Sequence, residues 1–514
     1  KRIEDVSLLR SIQFPEDSGS NSHPIRPNFY KEINNFYTPT IYEKGAEFIR
    51  MLFNYIGEKS YRKGIDTYFY LYDGKAVTCE NFIDALSKGA EIDLSIFSKW
   101  YSQAGTPNIE IKRERKNSKF LLNISQKINN EYSNLPIPIK MAFLDQGGHL
   151  VDFKINDSML DKEHVYLLCN SKEKIIIECE EEKITPSFLR SFSAPVYLKT
   201  DLQEIDYLHI LKYDNDAFNK WDAAQNLYSE YFIKNKDVTK LTDLLKSLIS
   251  SNSINNSLMS LLIELPSRAS LENLLDTVDP IDVFYKRQSL MKEIALNLKT
   301  TLENVALHLA EDEIFLIKNQ GHRSLLGKIL NYLVLIGSQI GIDLAKRFAI
   351  SKNMTLSIAA LKSLCLSDSK LVMPYLEEFY SNWKNNDLVL EKWFEIMSSM
   401  NIEGEGLSFV KKLLKHKDFD NKNPNKLRSV LGTFQKENII LFHSKDMSGY
   451  KFIAEQISQI DKYNPQVASR LILPMTQFRS FKKERKENII SILKDIYNQK
   501  ISNDLSEILE KAIS

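Results

Sequence analysis

The hydrophobic period of this chain changes twice along its length, and those two changes limit what it can fold into. Up to about Gly105, apolar residues recur every three or four positions, the spacing of one helix face. Ala46, Ile49, Phe53 and Ile56 share one such face, and Tyr61, Ile65, Tyr68, Phe69 and Tyr72 share another. Between Pro107 and Leu202 the period falls to two. Ile109 and Ile111 alternate with polar neighbours, as do Phe120, Leu122 and Ile124, the pattern of half-buried strands. From Gln203 to Ser514 the helical spacing returns and persists. The expectation is a mainly α chain with one small β domain.

Punctuation residues refine this division. Residues 1–105 read as a loop followed by helices, with residues 15–27 loop-like ahead of the first apolar stripe. Asp73-Gly74 ends the second helix, and Thr78 can N-cap a third that carries Phe82, Ala85 and Leu86. Asp93 can cap a fourth, which stops at Gly105 before Pro107. Gln146-Gly147-Gly148, between residues 137–144 and Leu150-Val151, suggests a hairpin. Further short strands are expected at 165–169, 175–179 and 196–198, giving a β-sandwich of about 100 residues. Beyond it, breaks such as Asn319-Gln320-Gly321 and 421–424 separate helices in series without a strict repeat. An α-solenoid-like stack of helix pairs fits that pattern, and a compact helical domain is the alternative.

Composition excludes some partners. Lys plus Arg is 68 and Asp plus Glu is 67, a net charge of +1 over 514 residues. So even a balance argues against nucleic acid or an anionic membrane as the main partner. No apolar run reaches the length of a membrane-spanning helix. Cys79, Cys169, Cys179 and Cys365 include no Cys-x-x-Cys pair, so a reduced, cytoplasmic setting is expected. The first residue is Lys1 rather than Met, which reads as a processed chain or one with a segment missing upstream.

A complete active site is not visible in the spacing. No two of the eight histidines lie four positions apart, so there is no His-Glu-x-x-His zinc helix. There is no Walker loop, dinucleotide fingerprint or Gly-x-Ser-x-Gly. Tyr42 is the distinctive candidate. It follows Thr38-Pro39-Thr40 at a helix start, where its un-ionised phenol could project and donate to a developing oxyanion. Ordinary packing of Tyr42 at the helix end is the other reading.

Several stretches together carry a family resemblance. Ile41-Tyr42-Glu43-Lys44-Gly45-Ala46-Glu47 resembles the Tyr-Glu-Lys-Gly-Ala motif of the M1 family of zinc aminopeptidases, in its bacterial aminopeptidase N-like branch. Phe14-Pro15-Glu16-Asp17 with His23-Pro24-Ile25-Arg26-Pro27 resembles the segment before that motif. Trp100-Tyr101-Ser102-Gln103-Ala104-Gly105-Thr106-Pro107 resembles the close of the catalytic domain, and Trp221-Asp222-Ala223-Ala224-Gln225 the start of the helical one. Asn423-Pro424-Asn425-Lys426-Leu427-Arg428-Ser429 and Asn464-Pro465-Gln466-Val467-Ala468-Ser469-Arg470-Leu471 match two later stretches.

The resemblance implies that residues 1–106 are the C-terminal helical part of a thermolysin-like catalytic domain. It makes 107–202 a small β-sandwich domain and 203–514 an α-helical superhelical domain. It implies zinc in the intact protein, with ligands and general base outside this chain, so that this chain alone would be inactive. The implied partners are peptide substrates and a missing N-terminal half; apolar faces such as that of the 46–56 helix would then be exposed, repacked or covered. By position in the motif, Tyr42 matches the tyrosine that donates to the gem-diolate oxyanion. Tyr37 resembles a residue lining the first substrate pocket, with simple packing as its alternative. Arg428 and Arg470 match two arginines that face the substrate chamber, with interdomain salt bridges as theirs. Glu43 and Glu47, with Arg50 two turns from Glu43, are expected to be structural. A non-catalytic helical scaffold that binds peptides is the competing function.

Overall fold

The computed structural model describes residues 1–514 apart from 20, 117–118, 157, 182, 252, 312–316, 403 and 514, and gives only the backbone at 116, 159, 160 and 317. The chain divides into two compact units, Lys1–Leu227 and Tyr228–Ser514.

The first unit opens on helix, not loop. Arg2–Leu8, a π-helical turn Leu9–Gln13 and Phe14–Ser18 run on without a break. The segment is expected to open as loop, with residues 15–27 loop-like ahead of the first helix; Pro15 is a residue that ordinarily breaks a helix. The π turn just before Pro15 widens the helix, and this relieves the clash that Pro makes with the preceding turn. Helices Gly45–Ile56, Glu58–Tyr72 and Cys79–Ala90 follow. Thr78 caps the last of these in a capping box with Asn81. The Asp93 carboxylate accepts from the Ser95 amide at 2.8 Å and starts the 3-10 turn Ser95–Ser98, which leads into Lys99–Ser102.

The Gly45–Ile56 helix buries a different face from the one its spacing suggests. Phe48, Met51 and Leu52 are buried, whereas Ala46 is exposed and Ile49, Phe53 and Ile56 are half-buried. Both faces are apolar, so periodicity alone cannot choose between them. The choice comes from a strand of the β domain, Ile137–Leu144, that packs against the helix. Phe48 also meets Tyr101, with ring centroids 4.8 Å apart.

Among the described residues, ten strands form two sheets. They are β1 (Asn108–Lys116), β2 (Lys119–Ile128), β3 (Glu131–Tyr132), β4 (Ile137–Leu144), β5 (Phe153–Ile155), β6 (Ser158–Leu160), β7 (Glu163–Leu168), β8 (Lys172–Glu178), β9 (Thr185–Phe188) and β10 (Tyr197–Thr200). One sheet has the order β10-β1-β2-β8-β5-β6, with β3 on β2, and the other is β7-β4-β9. All pairings are antiparallel except β1 with β10. The expected turn at Gln146-Gly147-Gly148 closes with the Asp145 amide on the His149 carbonyl at 2.9 Å. Inward residues Ile109, Ile111, Leu122, Ile124, Ile137, Ile139 and Phe143 join Phe48, Met51, Leu52 and Trp100 in one apolar cluster. The Trp100 indole donates to the Pro136 carbonyl at 2.9 Å, so helix and sandwich share one core.

The last helices of this unit are held by Arg190. Leu189, Ser191 and Phe192 adopt left-handed φ values of 52°, 57° and 54°, a costly conformation for residues with side chains. That turn sends Arg190 inward, where it donates to Glu163 at 2.6 Å and to Asp214 at 2.7 Å. Asp214 directly follows the helix Glu204–Tyr213.

The second unit is helical. Many of its helices start at polar caps: the side chains of Asn255, Ser267, Asp279, Ser338, Asn353, Asp368, Asn386, Asn423 and Asn464 each accept a backbone N–H of the first turn. Each such cap contributes about 1 kcal/mol. Sequence neighbours pack on one another, as Gln320–Leu335, Gln339–Ala349 and Met354–Leu364 do. That is the nearest-neighbour arrangement of a helical array. Among the described residues no helix is long and apolar enough to cross a membrane.

Two sites in these units predict measurable behaviour. Gly64 and Gly89 bring their helices into backbone contact: a Cβ on Gly89 would lie 2.4 Å from the Gly64 Cα. Gly89→Ala should therefore destabilise the first unit by about 1–3 kcal/mol, the usual range for overpacking, read as a lowered urea midpoint. In the second unit His443 is buried, its Nδ1 2.8 Å from the Tyr450 hydroxyl and its Nε2 without a hydrogen-bond partner. Burial, aided by Arg268 and Arg485, pushes its pKa well below the ordinary value of 6.5. The unfolded imidazole takes up a proton near pH 6.5 while the folded one stays neutral. Stability should then fall as pH drops below about 6.5, by up to ~1.4 kcal/mol per pH unit. Urea titrations from pH 7 to 5 should show that slope, reduced in His443→Gln.

Candidate functional site

Three separated stretches of the first unit converge behind Tyr42. The Lys44 ammonium lies 2.7 Å from Asp17 Oδ2 and 3.0 Å from the Gly105 carbonyl. Asp17 Oδ1 accepts from the Gly105 amide at 3.0 Å, and Asp17 Oδ2 from the Thr106 hydroxyl at 2.9 Å. The side chains of Lys44 and Asp17 are 2% and 0% exposed. Charges so far from water persist only when paired and hydrogen-bonded. Here every oxygen of Asp17 is used.

The residues before Tyr42 are held just as closely. Glu16 Oε2 accepts from the Thr40 amide at 2.9 Å and from its hydroxyl at 2.6 Å. Burial pushes the Glu16 carboxyl above its usual range, while the Thr40 hydrogen bonds and nearby His23 draw it down. Thr38 Oγ1 accepts from the Ile41 amide at 3.3 Å and lies 2.9 Å from His23 Nε2. The Thr38 carbonyl accepts the Tyr42 amide at 3.2 Å. Residues Thr40–Lys44 form a π-helical turn that leads into Gly45–Ile56.

On this support Tyr42 stands out from the surface, 60% exposed, and Tyr37 is 51% exposed. Their rings stack with centroids 6.3 Å apart and an interplanar angle of 27°. The two tyrosines singled out in the sequence are thus neighbours, with a phenol open to a ligand. Glu43 is half-buried. Glu47 is buried and takes a two-point ion pair from Arg2, at 2.6 and 2.5 Å, which suits a structural role. Arg50 answers to Arg2, Glu47 and Asp5 rather than to Glu43; burial and the Arg2 charge lower its pKa.

In the second unit, Arg428 begins the π-helical turn Arg428–Gly432 and Arg470 lies in the last turn of Pro465–Leu471. These two elements pack against each other. Arg428 is exposed and donates to Asn425 Oδ1 at 3.3 Å. Sequence reasoning missed the roles of Glu16, Asp17, His23, Thr38, Thr40 and Lys44. Most fall inside the motif stretches, but their partnerships span up to 89 residues, and no local pattern reports such pairs.

Metal binding is a separate matter. Among the described residues no group of three or more His, Cys, Asp or Glu is placed to hold a metal ion. The resemblance places the zinc ligands outside this chain.

Comparison with known proteins agrees with this organisation. The model of the peptidase family M1 domain matches residues 5–101. A domain of unknown function with an Ig-like fold, DUF3458, matches 105–201, and its C-terminal companion, described as ARM repeats, matches 204–514. The chain belongs to the M1 peptidase family and is aminopeptidase N-like. It is 30% identical over its full length to aminopeptidase N of Escherichia coli, and 32% identical to those of Haemophilus influenzae and Caulobacter vibrioides. The chain spans 60–61% of the length of these relatives. The crystal structure of Legionella pneumophila aminopeptidase A in complex with aspartic acid superposes with a TM-score of 0.85 at 29% identity, covering 96% of this chain and 59% of that one.

The buried pair behind Tyr42 gives a direct test. Asp17→Asn leaves the Lys44 ammonium buried without its counter-charge. The first unit should lose about 3–5 kcal/mol, measured as a shift in its urea unfolding midpoint. Replacing both residues with apolar ones should not restore stability, because the Gly105 amide and Thr106 hydroxyl would still lack their acceptor.

Proposed function

We propose that this chain is the C-terminal portion of a zinc-dependent aminopeptidase that releases N-terminal residues from peptides. The observation that carries the reading is the exposed Tyr42 phenol on a buried, fully paired support, within a chain that matches aminopeptidase N along its whole length. Attack on a peptide carbonyl places negative charge on its oxygen. A neutral tyrosine O–H aimed at that oxygen stabilises the charge as it develops, and does so best where water is excluded. Tyr37, stacked on Tyr42, offers an apolar ring to the side chain of the first residue. Arg428 and Arg470 offer guanidinium donors, suited to peptide carbonyls or a carboxylate. Zinc, its ligands and the general base come from outside these residues, so this chain alone is inactive.

The matched ARM-repeat array with exposed Arg428 favours a second reading, a non-catalytic scaffold that binds peptides. One experiment separates the two. Mixed with a polypeptide that carries the zinc-binding half, this chain should hydrolyse amino-acyl arylamides, and a chelator should abolish the activity. Tyr42→Phe should reduce turnover about 100–1000-fold. Peptide affinity by calorimetry without metal, unaltered by Tyr42→Phe and unaccompanied by hydrolysis in the mixture, would instead establish the scaffold.

A further inference from the structure

We propose that Glu16 and Asp17 act as a single positioning clamp for the Tyr42 phenol, with Glu16 and Thr40 as positioning residues. The inference rests on the oxyanion role proposed above for Tyr42. Glu16 takes the amide and hydroxyl of Thr40 at 2.9 and 2.6 Å, and Asp17 takes the Lys44 ammonium at 2.7 Å. Thr40 and Lys44 bound the π turn and lie two residues before and two after Tyr42. Two adjacent carboxylates on one helix thus grip both ends of the turn that has Tyr42 at its centre.

The need for such a clamp follows from the turn itself. A π turn is a widened, rarely adopted ring, and an unfavourable backbone persists only where its surroundings impose it. Between the two grips the amides are also partnered, Ile41 by the Thr38 hydroxyl and Tyr42 by the Thr38 carbonyl. His23 Nδ1 faces the Pro24 carbonyl at 2.8 Å. His23 Nε2 lies 2.9 Å from the Thr38 hydroxyl. Tyr42 itself is 60% exposed and meets the ring of Tyr37. Its phenol inherits its position from the backbone, and an oxyanion donor displaced by about 1 Å loses much of its effect. Asp17 also holds Gly105 and Thr106, so it anchors the fold as well. Glu16 directs its carboxylate at Thr40, and its contribution can be separated from stability.

The test uses this chain with 3-fluorotyrosine at position 42, alone and mixed with the zinc-bearing half. Thr40→Val keeps the shape of the side chain and removes its hydroxyl donor. The fluorine resonance, narrow in the parent, should broaden or shift in Thr40→Val and return in Thr40→Ser. In the mixture Thr40→Val should lower kcat about 10-fold with KM unchanged, and should cost nothing further in a Tyr42→Phe background. An unchanged resonance and kcat, or a loss that adds in full to that of Tyr42→Phe, would overturn the clamp. If Thr40→Val fails to fold by circular dichroism, Glu16→Met, which has no oxygen to accept from the Thr40 amide or hydroxyl, carries the same measurements. A Tyr42→Phe chain with undiminished turnover would instead remove the oxyanion role, and the resonance alone would still decide whether Thr40 holds Tyr42 in place.

Discussion

The ion pair between Lys44 and Asp17 sets the geometry of the first unit. Both charges are withdrawn from water, and neither could remain there alone. The pair fixes the start of the Gly45–Ile56 helix to the end of the Phe14–Ser18 turn. Through Gly105 and Thr106 it also fixes the point at which helices give way to strands. Three stretches far apart in sequence thereby become one rigid platform. A hydrophobic contact at the same place would exclude water equally well, but it would leave the angular position of the helix free. Directional bonds from one carboxylate to an ammonium, an amide and a hydroxyl do not.

Packing carries the same constraint outward. With Lys44 anchored at its start, the Gly45–Ile56 helix packs against β4, and Phe48, Met51 and Leu52 are buried on the face that this strand selects. Trp100 and Tyr101 close over Phe48 from the far end of the same segment. The apolar cluster then runs without interruption from these helices into the sandwich. The helical residues ahead of the β domain therefore have a core of their own making, shared with the strands. That core accounts for the face that is buried; on the face named from the spacing, Ala46 is exposed and Ile49, Phe53 and Ile56 are half-buried.

What the sequence made legible follows from the range of each interaction. The two changes of period mark where strands begin and end because side-chain alternation is a local property. Thr78 was readable as a cap for the same reason, as its box closes over three residues. The face of the 45–56 helix was not, because an outside strand chose it. Nor was the helix through Pro15, where a π turn absorbs the proline. Tyr42 was singled out through its motif and Tyr37 by its place five residues earlier, and their rings are in contact. The residues that hold Tyr42 were hidden. Glu16 and Asp17 look like surface acids in a polar stretch, and only the fold places Thr40 and Lys44 above them.

Exposure and rigidity make opposite demands at Tyr42, and the structure meets them at different atoms. A donor that serves a passing oxyanion must face outward, and an outward tyrosine has few contacts to hold it. Burying the ring would fix it but would close it to a ligand. Here the ring is left open, while the backbone beneath it is tied at Thr40, Ile41 and Tyr42 and the Lys44 side chain is paired with Asp17. The buried residues are the polar ones, Glu16's partner Thr40 and the Asp17–Lys44 pair, and the exposed residues are aromatic. That inversion of the usual order of a protein surface costs desolvation below and leaves apolar area uncovered above. A fold selected for stability alone would have exchanged them. Such an arrangement would suit the preorganised donor proposed for Tyr42: fixed dipoles behind it and an exposed ring in front.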